Sequence, residues 1–199
     1  MTATIKLPWA ALTGALRNVA PFASVNGTDP AIRGVALDYS TAGVAVVATD
    51  SRGLCRQDLS ADIAEVAADM PGLIVLDIST VRQLWAVKCG RHETSALITV
   101  DGQMFTVTCP EGTVITRTSA GDYPAWRSVW DRFTASMDGQ DRRDAVAPAR
   151  LSFTASIFAN LAKIKGGDGS MTMTSGNGKT LITCGPLAVC VAQQKGNDR

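Results

Sequence analysis

Residues 32–59, IRGVALDYSTAGVAVVATDSRGLCRQDL, hold three apolar, β-branched runs separated by two clusters of turn residues. Ile32 to Tyr39, Val44 to Thr49 and Leu54 to Leu59 read as strands. Thr41-Ala42-Gly43 and Asp50-Ser51-Arg52-Gly53 read as the turns between them, because Gly, Asp and Ser accept the backbone angles of tight turns. Upstream, Thr4 to Leu7 alternates as a short strand. Pro8 then opens a helix whose Trp9, Leu12, Leu16 and Val19 fall at helical spacing, ending near Ala20-Pro21. The order is therefore strand, helix, three strands.

That order returns after an Ala/Asp-rich stretch at 61–70. Leu73 to Asp77 reads as a strand, Ser79 to Cys89 as a helix capped by Ser79, and Ser95 to Val100, Gln103 to Cys109 and Thr113 to Ser119 as strands. It returns again with strand Arg150 to Thr154, helix Ala155 to Ile164, and strands Met171 to Thr174, Thr180 to Cys184 and Leu187 to Gln193. Repeats of this length imply units that bury their apolar faces only by stacking on one another. The expected fold class is α+β, with helices on one face of antiparallel sheets. Two units make a domain over 1–130, the polar, charge-clustered segment 131–149 is a linker, and 150–199 is a third unit, half a domain.

Composition narrows the function classes. Hydrophobic residues at 46% and charged residues at 19% describe a globular chain. A formal net charge of +1 gives no bulk attraction to nucleic acid or anionic membranes, so any DNA contact must be local. No apolar run is long enough to span a membrane, and the N-terminal residues lack a secretion signal, so the expected location is cytoplasmic. Cys55, Cys89, Cys109, Cys184 and Cys190 form no CxxC pair, and His92 is the only histidine. Neither a metal site nor a histidine-based triad follows, and the chain is expected to be no enzyme and to need no cofactor.

Several motifs carry bland readings. Gly176-Asn177-Gly178-Lys179-Thr180 ends like a phosphate loop, but Met173 stands where the first glycine is required and no helix follows. Gly166-Gly167-Asp168-Gly169 joins a helix to a strand, and Asp77, Asp101 and Asp122 sit at strand ends or turns. Trp126 and Trp130, interleaved with Val129, are assigned to packing.

The repeated unit, two per domain, resembles the building plan of the ring-forming sliding clamps, in particular the β subunit of bacterial DNA polymerase III. Ala48-Thr49-Asp50-Ser51-Arg52-Gly53-Leu54 is similar to the Ala-Thr-Asp-Gly-His-Arg-Leu turn of that family's middle domain. Gly121-Asp122-Tyr123-Pro124-Ala125-Trp126-Arg127-Ser128-Val129 resembles the Gly-Arg-Phe-Pro-Asp-Tyr-Arg-Arg-Val segment leaving the same domain. Residues 29–37, DPAIRGVAL, look like a strand of the family shortened by two residues. The last unit matches in pattern alone.

The resemblance implies a hydrophobic groove that captures extended peptides from polymerases and clamp loaders. Carried over, it comprises Ile32, Thr49, Ser51, Arg52, Leu54, Pro124 and Val129, with Val189 and Val191 from the final strand. Ser51 and Arg52 replace the family's glycine and histidine, adding bulk and a fixed charge that favour carboxylate-bearing peptide positions. The resemblance also turns the helices toward duplex DNA, so Arg17, Lys88, Arg91, Lys163 and Lys165, at the C-terminal ends of the three helices, would meet phosphates without reading sequence. Cations at those positions also complement helix dipoles.

Two functions follow. One is a processivity factor that docks polymerase peptides and encircles duplex DNA as a homo-oligomer. The other is a non-ring interaction protein that binds or competes with a host replication clamp or its partners. A shortened clamp relative of either kind suits a bacteriophage.

Overall fold

The computed structural model describes residues 2–24, 30–68, 70–87, 94–118, 123–138, 155–164, 170–176, 179–185 and 187–192. The first unit is strand β1 (Thr2–Pro8), helix α1 (Trp9–Val19) and strands β2 (Gly34–Ser40), β3 (Gly43–Thr49) and β4 (Gly53–Ser60). A short strand, β5 (Glu65–Ala68), precedes the second unit: β6 (Gly72–Asp77), α2 (Ile78–Ala86), β7 (Ser95–Asp101), β8 (Met104–Cys109) and β9 (Gly112–Arg117). Then follow α3 (Trp126–Asp138), α4 (Ala155–Leu161), β10 (Thr172–Gly176), β11 (Lys179–Cys184) and β12 (Leu187–Ala192). The strand expected at 150–154 lies outside the described residues.

The strands form two antiparallel sheets, ordered β5-β1-β7-β8-β9 and β10-β11-β12-β4-β3-β2-β6. Each leading strand crosses to the other unit: β1 pairs with β7, Ile5 opposite Ile98, and β6 pairs with β2, Ile74 opposite Leu37. The first two units are thereby stitched into one domain. The third unit joins them edge to edge, β12 against β4, with Cys190 opposite Leu54 and Val189 opposite Cys55.

Strand alternation sends Val35, Leu37, Val44, Val46, Ala48, Ile74 and Leu76 from one sheet, and Ile5, Ile98, Phe105 and Val107 from the other, into a single core. Leu12, Leu16 and Val19 of α1 and Val81 and Leu84 of α2 fill it, as the helical spacing of the sequence requires. One polar pair crosses this layer, buried Asn18 of α1 donating from Nδ2 to Gln57 Oε1 of β4 at 3.1 Å. The pair satisfies both amides where an isolated one would be costly.

Three expectations change in detail. The cap of α2 is Asp77, not Ser79: its Oδ1 accepts from Thr80 N and from Ser79 Oγ, both at 2.7 Å. Partial burial pushes the Asp77 carboxyl up, but the bonds from Ser79 and Thr80 outweigh this and leave it lowered. The Ala/Asp-rich stretch contains β5, whose Glu65, Ala67 and Ala68 are weak strand formers. It exists because β1 offers an edge, with Lys6 opposite Glu65 and Ala3 opposite Ala68.

The third change bears on function. Helix α3 runs across the border set at 130/131 and through the first residues of the expected linker. It does not join the other helices. Trp126 and Phe133, with Trp130 beside them, cover Ala36, Val47, Leu54, Val75 and Cys190 on the opposite face of the seven-stranded sheet. The helices therefore occupy both faces of that sheet.

Candidate functional site

Thr49, Ser51, Arg52 and Leu54 are held in one tight turn between β3 and β4. Asp50 Oδ1 accepts from Arg52 N at 2.9 Å and Gly53 N at 2.8 Å, while Thr49 Oγ1 donates to Gly53 O at 2.7 Å and accepts from Ser51 N at 3.1 Å. Ser51 and Arg52 are exposed, and Leu54 is buried on the α3 face. The backbone at Ser51 has φ of 70°, the left-handed region that favours glycine. The glycine that stands here in the resembling clamp turn thus has a backbone reason. Ser51→Gly is expected to raise stability by about 0.5–1 kcal/mol, the relieved strain slightly exceeding the added freedom of the unfolded chain. Urea unfolding checks this, and a loss of stability would mean that the Ser51 side chain contributes contacts of its own.

Ile32 is half-buried in a short turn, Pro30–Arg33, leading into β2. Because Ala36 pairs with Val47, the start of β2 lies at the same end of the sheet as the Thr49–Leu54 turn. Val129 is 44% exposed on α3, two residues and so about 200° around the helix from Arg127. Arg127 pairs with Asp38 below the helix, which turns the Val129 flank toward the Thr49–Leu54 end. Pro124 lies away from that turn. With Asp38, Pro71, Leu73, Tyr123 and Trp126 it lines a cleft of about 480 Å³ between α3 and the β2–β6 edge.

Val189 and Val191 depart from the expected groove. They are 1% and 2% exposed in the inner core, on the sheet face away from Leu54. The residue of β12 that shares Leu54's face is Cys190, because a shift of one residue along a strand reverses the face. Tyr123 is the groove residue the sequence reading passed over: it packs on this apolar face and donates from its hydroxyl to Val47 O at 3.3 Å. Its position as the aromatic before Pro124 was the available signal.

A buried polar cluster fixes α3. Trp126 Nε1 donates to Asp38 Oδ2 at 2.9 Å, and Arg127 pairs with the other carboxylate oxygen. The Arg56 guanidinium lies 5.3 Å from the Trp126 ring centre and 5.1 Å from that of Trp130, and its Nε pairs with Asp58 at 2.8 Å. Burial pushes the thiols of Cys55 and Cys190 up, the latter to about 12 against the opposing pull of Lys179 and Arg56, and raises the Tyr123 hydroxyl as well. At neutral pH these groups are protonated, so this face packs and hydrogen-bonds rather than supplying a nucleophile. Among the described residues no cluster of His, Cys, Asp and Glu could hold a metal ion, and no helix is long and apolar enough to cross a membrane.

Of the basic residues expected to face DNA, Arg17 is exposed on the last turn of α1, and Lys163 is exposed just beyond α4, donating to Asn160 Oδ1 at 3.2 Å. Asn160 Nδ2 donates to Pro21 O at 2.7 Å, tying α4 to the turn that ends α1. The two cations therefore stand on adjoining elements. Lys88, Arg91 and Lys165 lie outside the described residues. Arg82, exposed on α2, is a further cation on the helix layer that the sequence reading did not select.

Copies of one strand-helix-three-strand unit, exchanging leading strands within a domain and joined edge to edge beyond it, define the DNA-clamp fold. Solved structures with this fold are sliding clamps of bacterial DNA polymerase III. The Pseudomonas aeruginosa clamp superposes with a TM-score of 0.77 at 11% identity, covering 96% of this chain. The Helicobacter pylori β clamp, bound to a DNA ligase peptide, gives 0.76 at 12% over 97%, and the Bacillus subtilis clamp 0.71 at 12% over all of it. The chain spans 66% of the length of each of these clamps. No protein-family model matches the sequence, and no curated protein does. At this identity the likeness establishes the fold.

Proposed function

We propose that the chain is a clamp-like processivity factor of DNA replication that docks partner peptides on its outer sheet face and carries no chemistry of its own. The supporting observation is that the Thr49–Leu54 turn, buried Leu54 and the Val129 flank of α3 adjoin one apolar face, in a fold shared with a clamp solved with a ligase peptide. Pro124 and Tyr123 extend that face toward the cleft, and Arg52 offers a cation to an acidic peptide position. The opposite layer, with Arg17, Arg82 and Lys163, is the surface for duplex DNA. The protein acts in the cytoplasm in this reading.

Fluorescence anisotropy with a labelled clamp-binding DNA ligase peptide tests the docking face. Saturable binding is expected, weakened about tenfold or more by Arg52→Glu against an acidic peptide. Retention on nicked circular DNA and release on linearisation tests encirclement, with Arg17→Glu and Lys163→Glu each lowering the salt slope of binding by about one. Peptide binding without retention on circles would leave the second reading: a groove-bearing protein that binds or competes with a host replication clamp or its partners. The unpaired third unit favours that alternative for a lone chain.

A further inference from the structure

The fold contains a pairing rule that the third unit leaves unmet. In the first two units the strand after the helix is flanked on both sides. β2 lies between β3 and β6, and β7 between β8 and β1, the second neighbour in each case being the leading strand of the other unit. β10 holds the same place in the third unit, before β11 and β12, yet among the described residues it pairs with β11 alone.

Burial follows the same rule. The inward residues of β2 and β7, Val35, Leu37, Ile98 and Val100, are no more than 3% exposed. Met173, opposite buried Ile182, points to the same inner side, and so does Met171 two residues before it. They are 38% and 46% exposed, and Phe158 on α4 is 46% exposed. An open strand edge with apolar side chains and no charge from Thr172 to Gly176 is a liability unless something covers it.

The occupant must supply what β6 supplies to β2 and β1 to β7: the leading strand and helix of another unit whose own β10-like strand is open. A second copy of this chain carries such a unit. We propose that the third units of two chains complete one domain between them, about a two-fold axis, each covering the other's β10 edge and the surface around Met171 and Met173. The contact is isologous, so one surface serves both partners. The two stitched units of each chain remain outside it, and the β12–β4 seam carries them on either side of the shared domain. This inference rests on strand order and burial, and holds whether or not the chain docks peptides or DNA.

Light scattering on a sizing column, over a range of concentrations, is the test. The full chain is expected to run at twice its 20.9 kDa mass or at an even multiple of it. Met171→Asp with Met173→Asp is expected to weaken association about a hundredfold or more, because each apposed pair would bury carboxylates. Circular dichroism should stay unchanged, both side chains being exposed in the single chain. Ile115→Asp, on the open edge strand β9 where Ile115 is 62% exposed, should leave the two-chain species intact. A single-chain mass at every concentration would overturn the proposal. So would a multimer that survives the methionine changes and dissociates with Ile115→Asp, which would assign the contact to β9. Neither outcome touches the peptide anisotropy result.

Discussion

Trp126→Ala is expected to lower the unfolding free energy by about 3–5 kcal/mol, the range for removing a buried tryptophan. The ring is 5% exposed over the outer face of the seven-stranded sheet, and its loss opens a cavity above Ala36 and Val47. It also removes the N–H that satisfies Asp38, whose side chain is 4% exposed, leaving that carboxylate to Arg127 alone. Trp126→Phe separates the two effects: the volume largely remains, and the lost hydrogen bond costs about 1–3 kcal/mol. Urea unfolding measures both. If Trp126→Ala costs no more than an exposed substitution, about 0.5 kcal/mol, α3 is not anchored to this face and the proposed docking surface loses its Val129 wall.

Leu16→Ala should destabilise by about 2–5 kcal/mol and lower Tm by about 4–20 °C. Leu16 is fully buried on α1, the helix that packs against both sheets, so its removal loosens the layer joining them. Arg17 is the next residue and is exposed, and Arg17→Glu is expected to leave Tm within about 2 °C while weakening DNA retention. Adjacent positions thus divide stability from function. A large Tm loss with Arg17→Glu would mean that this side chain contributes to the fold, and its DNA phenotype would then be indirect.

The division also explains which features could be read in the chain. The α1 helix and the strands β2, β3 and β4 follow from local periodicity, 3.6 residues for Leu12, Leu16 and Val19 and two for Val35, Leu37 and Tyr39. The Thr49–Leu54 turn follows from its Asp50 and Gly53 chemistry. β5 was hidden because nothing in Glu65 to Ala68 prefers a strand, and only the edge of β1 recruits it. The facing of Val189 and Val191 was hidden for a related reason. In an apolar strand such as 187–192 both faces read alike, and the side toward Leu54 depends on the pairing of β12 with β4.

By itself, then, the sequence determined the repeating unit, its turns and the apolar stripes that each unit must bury, because these depend on residues a few positions apart. Tertiary structure alone decided that β1 and β6 exchange between units, that α3 covers the outer face through Trp126 and Asp38, and that β12 seals β4 and leaves β10 open. Those outcomes depend on which distant edges and faces meet. Pairing across 88 positions, as between Asp38 and Trp126, leaves no periodic trace in the chain that encodes it.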